Sequence, residues 1–364
     1  MSHDHAGRLV RAARETDAAG LAALLVAPGP DLLYLAGYDP PPLERLTALV
    51  VRPGADPVLL VPELERPRAQ ASPAGSLVAL DRWRDGEDAY AAVARLVPTG
   101  RLGVSDRLWA SHLLGLQTAL GGSEFVPGSR VLSRLRARKD PGEIQLLSRA
   151  ARAADEAFSR VCRESFAGRT ESEIARLLGD HLVRAGHDSV AFTIVATGPD
   201  GASPHHEPGG RTIRTGHAVV MDFGGRVGGY CSDVTRTVSV GYPGGEVRDV
   251  HDIVTLAQEA AFRAVAPGVP AEEVDRAARQ VIEEAGYGEA FFHRTGHGIG
   301  LEEHEDPYLV QGNAELLEPG MCFSIEPGIY LPGQFGVRVE DIVAVTDGGA
   351  VRLNHAPREL AVVA

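Results

Sequence analysis

The fold is determined above all by an apolar hairpin at residues 218–240, which reads AVVMDFGGRVGGYCSDVTRTVSV. Two strands rich in β-branched residues flank a glycine-rich turn, a pattern typical of an antiparallel pair. Each strand carries one acid among apolar neighbours, Asp222 in the first and Asp233 in the second. With the turn centred near Val227 and Gly228, the two acids are predicted to face each other across the ladder.

A second hairpin of the same construction is predicted at residues 322–345. Its acids are Glu326 and Glu340, which are equidistant from Gly333 in the bend. Directly opposed carboxylates destabilise a sheet, and burying them costs still more free energy. Two such pairs therefore need a counter-charge, and a divalent cation supplies it.

Each hairpin follows two predicted helices, so the order helix, helix, hairpin occurs twice. The first pair begins at two capping boxes, headed by Asp140 and Thr170, and the second pair is predicted at 247–266 and 271–285. Residues 8–130 instead alternate amphipathic segments with short apolar strands, among them 76–80, and a charged stretch at 134–140 is expected to interrupt this pattern. We therefore predict an N-terminal α/β domain over 1–135 and a C-terminal α+β domain over 136–364 with an internal pseudo-two-fold repeat.

A fifth metal-ligand candidate is His297, which lies between Gly296 and Gly298. Glycine on both sides lets the backbone approach a crowded site closely. An isolated acid is usually a turn or cap residue, and an isolated histidine is usually a core residue, but their joint pattern favours a metal site. Four carboxylates and one imidazole balance two divalent ions bridged by a hydroxide. This oxygen-rich set suits Mn²⁺ best, with Co²⁺ or Zn²⁺ as the other candidates.

The charge composition excludes several classes of function. The net charge is -13, and Lys139 is the only lysine among 36 basic residues. An acidic chain argues against a nucleic-acid partner, and a lone lysine outside any glycine loop argues against Schiff-base and Walker-type sites. The sequence shows no apolar run of about 18 residues and no apolar leader, so we expect a cytoplasmic protein without a membrane partner.

Three further polar segments are candidates for proton and charge handling. They contain the adjacent His205 and His206, then His293, and then His304. Amide hydrolysis requires a polarised carbonyl and a proton for the leaving nitrogen, and histidine is suited to both tasks. Surface loops also contain histidines with no such role, so this alternative stays open for each of them.

The motifs around these acids and histidines resemble those of the pita-bread metallopeptidases, the family of prolidase, aminopeptidase P and methionine aminopeptidase. The resemblance covers the whole C-terminal domain. The N-terminal domain is similar to that of prolidase, aminopeptidase P and creatinase, and methionine aminopeptidase generally lacks it. The matching strings are Met221–Gly224, Ser232–Thr237, Gly296–Gly300, Ser324–Gly328 and Arg338–Asp341.

The resemblance implies a role for each site residue. Glu326 would also accept the proton of the nucleophile. His205, or its neighbour His206, and His304 would stabilise the reacting carbonyl, whereas His293, Tyr330 and Arg338 would surround the substrate. The implied metal ligands are Asp222, Asp233, His297, Glu326 and Glu340.

The resemblance also implies hydrolysis of the bond before proline in a dipeptide or a longer peptide. Several prolidases bind the dipeptide carboxylate with an arginine eleven residues after the histidine ligand, and Tyr308 stands there in this chain. We predict that Arg45, at the end of a loop with three prolines, supplies the missing charge from the partner subunit of a homodimer. The alternative is that Arg45 is a solvated surface residue.

The sequence therefore favours a metal-dependent Xaa-Pro dipeptidase. An Xaa-Pro aminopeptidase acting on longer peptides is the nearest alternative. A metal-free creatinase-like hydrolase and a non-enzymatic pita-bread binding module are disfavoured, because this chain keeps all five ligands.

Overall fold

The computed structural model describes residues 4–364, and the chain divides into two compact units. The first unit ends at Arg136 and the second begins at Ala137. Every helix among residues 4–364 is too short or too polar to cross a lipid bilayer.

The first unit is built around one mixed six-stranded sheet in the order β4-β3-β2-β1-β5-β6. Three neighbouring strand pairs are parallel and two are antiparallel. Its strands are β1 Ala23–Val26, β2 Ala48–Val51, β3 Val58–Pro62, β4 Ala79–Trp83, β5 Arg101–Val104 and β6 Glu124–Pro127. Its helices are α1 His5–Ala18, α2 Pro30–Ala36, α3 Arg66–Ala71, α4 Ala74–Leu77, α5 Ala89–Leu96, α6 Ala110–Ala119 and α7 Ser129–Ala137. The α/β class predicted for this part of the chain is confirmed.

Two local predictions in this unit were wrong. The strand predicted at 76–80 lies further along, at Ala79–Trp83, because the indole of Trp83 is buried and donates a hydrogen bond of 2.9 Å to the Leu46 carbonyl. The charged stretch at 134–140, which was expected to interrupt the alternation of helices and strands, is helical up to Ala137. Its arginines extend α7, and one of them, Arg136, pairs with Asp31 at 2.8 Å.

The second unit repeats the order of two helices followed by strands, as the sequence predicted. Both predicted capping boxes are present, at Asp140 and at Thr170. Gly186 ends the second helix in the left-handed conformation, at φ 111°. The helices are α8 Pro141–Val161, α9 Glu171–Ala185, α10 Gly245–Ala264 and α11 Ala271–Glu284.

The strands of the second unit form two five-stranded sheets and one small hairpin. The first sheet has the order β18-β10-β8-β7, with β9 paired to β8, and the second has the order β12-β11-β13-β16-β17. The hairpin joins β14 to β15. The first-half strands are β7 Ser189–Thr197, β8 Ala218–Val227, β9 Tyr230–Cys231 and β10 Val234–Val240. The others are β11 Gly296–Gly298, β12 Glu305–Leu309, β13 Cys322–Ile325, β14 Gly328–Leu331, β15 Phe335–Arg338, β16 Asp341–Thr346, β17 Gly349–Arg352 and β18 Ala361–Val363.

Each half of this unit has its own apolar core. In the first half, Phe158 and Leu178 on the helices pack with Met221 and Val238 on the sheet. In the second half, residues of α10 and α11 pack against β13, β15 and β16. The acid-bearing strands therefore lie on a rigid apolar support in both halves.

The register predicted for the first hairpin was wrong, because the centre of the turn lies one residue further along the chain than predicted. Asp222 lies opposite Thr235, and Asp233 falls in the gap between β9 and β10. The turn is centred on Gly228 and Gly229, which have φ values of 58° and 86°, because a two-residue turn of this hand needs positive φ at both positions. The two acids are therefore diagonal neighbours.

The register predicted for the second hairpin is confirmed. Ile325 pairs with Asp341 and Gly328 pairs with Arg338, which leaves Glu326 and Glu340 at facing positions between these pairs. Gly333 is in the bend at φ 75°.

Candidate metal centre

The structure brings the acids of the two hairpins and His297 to one buried point. The ligand atoms of Asp233, His297 and Glu340 all lie within 4.8 Å of one another. His297 Nε2 is 3.7 Å from Asp233 Oδ2 and 3.2 Å from Glu326 Oε1. Three parts of the chain meet here. They are β11, the short segment between β9 and β10, and the two residues that follow β13 and precede β16.

The fourth carboxylate, Asp222, supplies evidence that a cation fits this cluster. Its Oδ1 and the Oε1 of Glu340 are buried oxygens without a hydrogen-bond partner among residues 4–364. A buried carboxylate oxygen left unpaired costs free energy, so such an oxygen in a cluster of acids fits a metal ligand. Oxygen atoms with one imidazole match the donor set of divalent transition metals.

The electrostatics of the cluster point the same way. Burial raises the pKa of Asp233 well above its usual value, and the charge of Glu340 adds to the effect. Burial likewise raises the pKa of Glu340, reinforced by Glu326 and Asp222. At Glu326 burial also acts to raise the pKa, but the hydrogen bond and charge of His297 outweigh it and lower the pKa. The acids of this cluster repel one another, and bound cations would relieve that repulsion.

Local packing fixes the orientation of His297. Its backbone N–H donates to Ser324 Oγ at 3.0 Å, and Nδ1 lies 3.1 Å from the Gly298 carbonyl, which leaves Nε2 directed at the acids. A Cβ on Gly296 would collide with the Ser324 carbonyl, so this position needs glycine.

Arg338 lies beneath the cluster and connects it to surrounding residues. Its Nη2 donates to Asp222 Oδ2 at 2.5 Å, its Nη1 to the Tyr330 hydroxyl at 2.9 Å and its Nε to Thr235 Oγ1 at 3.1 Å. Thr235 in turn donates to Glu340 Oε2 at 2.6 Å. Arg338 is only 2% exposed, so the structure places it as a support for two acids.

His304 lies against the ring of His297, with the two ring centroids 4.0 Å apart. Burial, together with the charges of His297 and Arg294, lowers the pKa of His304 to about 4. His304 is therefore neutral at pH 7. Arg294 Nη2 lies 3.4 Å from its Nδ1, which makes Nδ1 the acceptor and leaves the proton on Nε2.

An aromatic group borders the cluster on the side of the second hairpin. His293 Nε2 and the Tyr330 hydroxyl are 2.8 Å apart, and the rings of Phe292 and Tyr330 have centroids 5.4 Å apart. Burial lowers the pKa of His293 and raises the pKa of Tyr330 to about 12, so both groups are neutral at pH 7. Phe292 itself is 63% exposed.

The structure separates the two adjacent histidines that the sequence left open. His206 Nε2 lies 2.8 Å from Glu171 Oε2, and Glu171 is fully buried. The other bonds of this carboxylate come from the backbone N–H groups of Thr197 and Gly209, at 2.7 and 3.0 Å. His205 instead lies close enough for its charge to act on His293. His206 is thus part of a structural cluster, whereas His205 lies on the side of the aromatic group.

The remaining two predicted site residues have different surroundings. The ring of Tyr308 carries the guanidinium of Arg294, whose central carbon lies 4.6 Å from the ring centroid. Arg45 is in the first unit and binds the carboxylate of Asp85 through two hydrogen bonds of 3.0 and 2.9 Å, with Glu44 at 2.8 Å. A substrate carboxylate would have to displace these acids, so the role of Arg45 stays a prediction.

Comparison with known proteins adds a family to this geometry. Residues 145–347 match metallopeptidase family M24, and residues 8–138 match the creatinase/prolidase N-terminal domain. The chain belongs to metallopeptidase family M24. This match spans both acid-bearing hairpins and the His297 segment, and the expected family and fold class are confirmed.

Individual relatives of this M24 chain are similar over nearly their full length. "Probable dipeptidase PepE" of Mycobacterium tuberculosis is 47% identical over 99% of this chain and 96% of its own. The "Xaa-Pro dipeptidase" of Lactobacillus helveticus is 38% identical over 91% and 92% of the two chains. The crystal structure of dipeptidase PepE from Mycobacterium ulcerans is 46% identical, covers 99% and 98% of the two chains, and has a TM-score of 0.95.

Sequence reasoning missed three residues that shape this centre: Thr235, Glu171 and Arg294. Thr235 lies two residues after Asp233 and Glu171 opens a helix, so neither position carried a chemical signal. Arg294 did carry one, because it stands beside His293 and three residues before His297. Its importance depends on which aromatic ring and which histidine it meets in the fold.

Proposed function

We propose that this chain is a metal-dependent dipeptidase that hydrolyses the bond before proline. The observation that carries the proposal is the group of four carboxylates and one imidazole, in which two buried carboxylate oxygens have no hydrogen-bond partner among residues 4–364. The printed names of its relatives, a probable dipeptidase and an Xaa-Pro dipeptidase, support the substrate class.

Two divalent ions, Mn²⁺ in our proposal, would be held by Asp222, Asp233, His297, Glu326 and Glu340. Bound there, such ions acidify a water molecule and polarise a carbonyl oxygen. The charge balance favours two ions, because the four acids carry four negative charges in a site with little solvent.

The side chains around the ions would handle protons and position the peptide. Glu326 is ionised at pH 7, because His297 lowers its pKa, and an ionised carboxylate can accept the proton of the attacking water. His304, neutral and protonated on Nε2, can donate a hydrogen bond to the carbonyl oxygen that becomes negative. His205 is the second candidate for this task, because His206 is bound by Glu171.

The aromatic group would receive the proline ring. Proline lacks an N–H, so its binding depends on shape and apolar contact. His293, Tyr330 and Phe292 offer adjoining ring surfaces beside the metal ligands. Their neutral state at pH 7 suits an apolar ring.

Further proposals concern the whole protein. We propose a cytoplasmic homodimer whose domains are residues 1–135 and 136–364, because the resemblance to prolidases implies both this organisation and this assembly. Gel filtration with light scattering tests the dimer, since a monomer of 38.6 kDa at micromolar concentration would contradict it.

The activity is tested with metal-free protein that is reloaded with Mn²⁺, Co²⁺ or Zn²⁺. We expect hydrolysis of Ala-Pro to appear with the metal and to exceed hydrolysis of Ala-Pro-Ala. Asp233→Asn should lose bound metal and turnover together, with Asp252→Asn, a change outside the cluster, as its matched control. Faster cleavage of the tripeptide would favour the Xaa-Pro aminopeptidase, and full activity in metal-free protein would contradict the metal proposal.

A further inference from the structure

Arg294 holds an unusual position for an arginine in this acidic chain. Its guanidinium lies over the ring of Tyr308 and 3.4 Å from His304, and it forms no ion pair with a carboxylate among residues 4–364. The other arginines near the cluster do have acids: Arg338 binds Asp222, and Arg226 binds Glu303. Arg294 is therefore a half-buried cation with its charge available.

The location of this charge relative to the metal ligands is well defined. The His304 ring is tilted against that of His297, with 4.0 Å between the ring centroids, and Arg294 contacts His304 at Nδ1. β11 and β12 fix this arrangement, because His297 pairs with Tyr308 in the sheet and Tyr308 carries the guanidinium on its ring. The cation thus lies one imidazole ring away from the metal ligands.

A dipeptide substrate needs a positive charge close to the reacting centre. Its terminal carboxylate is one residue beyond the scissile carbonyl, a separation of at most about 3.6 Å along the chain. A carboxylate placed there needs a positive group just outside the reacting centre. In a longer peptide the same position holds a neutral amide, which forms no ion pair with a positive group.

We propose that Arg294 binds the terminal carboxylate of the substrate, so that selectivity for dipeptides is a property of each single chain. This inference rests on the proposed function and names a residue that recognises its substrate. Arg294 takes the place that the sequence had given to Arg45. The face of Tyr308 holds the guanidinium flat, which leaves the nitrogens along its edge for two parallel hydrogen bonds to a carboxylate.

The test compares Ala-Pro with its amide, which keeps the proline ring and loses the charge. Arg294→Ala should raise KM for Ala-Pro by about 10- to 100-fold, as expected for a lost charge-assisted pair, and leave KM for the amide within about threefold. The KM of Arg294→Lys for Ala-Pro should lie between those of the wild type and Arg294→Ala, because an ammonium group cannot bind both carboxylate oxygens as the planar guanidinium does. Arg276→Ala, at an arginine 61% exposed and paired with Glu273, is the matched control and should match the wild type.

A binding measurement separates recognition from turnover. In isothermal titration calorimetry, proline should bind the metal-loaded wild type more tightly than prolinamide does, and Arg294→Gln should remove that difference.

Equal losses on Ala-Pro and its amide would show that Arg294 acts through His304, and the proposal would be overturned. A selective loss in Arg45→Ala with none in Arg294→Ala would return the role to Arg45. If the metal-loaded wild type cleaves neither substrate, the proposed dipeptidase function fails, whereas the calorimetric measurement still reports on carboxylate binding.

Discussion

Lys139→Met tests the energetics of the site region through the only lysine in the chain. Lys139 Nζ lies 2.7 Å from Glu305 Oε1, and the two side chains are 1% and 8% exposed. Glu305 opens β12 directly after His304, so this pair holds one end of the histidine segment. Methionine has a similar length and removes the charge, which leaves the Glu305 carboxylate buried without its cation.

The burial of both partners determines the size of the effect. At an effective dielectric constant of 20, two charges 2.7 Å apart attract by about 6 kcal/mol, and the cost of desolvation offsets part of this. Removing one partner of a buried pair typically costs about 3–5 kcal/mol, whereas an exposed pair would cost under about 1 kcal/mol. We expect the first range for Lys139→Met.

Urea unfolding of metal-free protein, followed by far-UV circular dichroism, measures this loss. Both tryptophans, Trp83 and Trp109, lie in the first unit, so fluorescence provides a separate signal from that unit. The double variant Lys139→Met with Glu305→Gln removes both charges and should recover at least half of the lost free energy of unfolding. Arg138→Met, at a neighbouring arginine 59% exposed in its pair with Glu318, is the matched surface control.

Two results would refute this reasoning. A loss below about 1 kcal/mol in Lys139→Met would mean that the pair behaves as if it were solvated. A double variant as unstable as the single one would mean that the negative charge left on Glu305 does not cause the loss of stability.

Two further predictions concern pH and loop positioning. Burial lowers the pKa of His251 to about 4, so the unfolded chain takes up a proton first as the pH falls below 6.5. This difference should lower the free energy of unfolding by about 3 kcal/mol by pH 4, and His251→Gln should reduce the pH dependence seen in urea titrations by that amount. Glu171→Gln should lower kcat about 10-fold with little change in KM or metal content, because the Glu171 carboxylate holds the loop that carries His205.

Each of these predictions has an outcome that contradicts it. An unchanged pH dependence in His251→Gln would assign the acid sensitivity to other buried histidines. Loss of metal in Glu171→Gln would mean that the loop supports the metal ligands and not His205. Glu173→Gln, at the exposed acid of the Thr170 capping box in the same helical turn, is the control for α9.

The sequence by itself determined the elements that local chemistry specifies. The capping boxes at Asp140 and Thr170 start helices in the fold, because an N-cap side chain bonds to backbone groups only three residues away. The apolar strands with one acid each, the glycines around His297 and the repeated element order were also readable. They sufficed for the family, the fold class and the list of candidate ligands.

The strand register of the two acid-bearing hairpins could be predicted only in part from the sequence. The second hairpin follows from symmetry about Gly333, but the first depended on which residues of a glycine-rich run adopt positive φ. A turn at Gly228 and Gly229, instead of the predicted Val227 and Gly228, changes the residue opposite Asp222 from Asp233 to Thr235. Because strand pairing shifts by two residues when the turn centre moves by one, a small local choice has a large effect on the predicted site.

Only the tertiary structure decided which charges are already paired. Arg45 and Arg294 look equivalent in the sequence, yet Asp85 and Glu44 bind the first and no acid among residues 4–364 binds the second. His205 and His206 are adjacent in the chain, and it is His206 that contacts the carboxylate of Glu171 in α9. Asp85 is 40 residues from Arg45 and Glu171 is 35 residues from His206 along the chain, and side-chain electrostatics depends on distance in space, so no local pattern contains the answer.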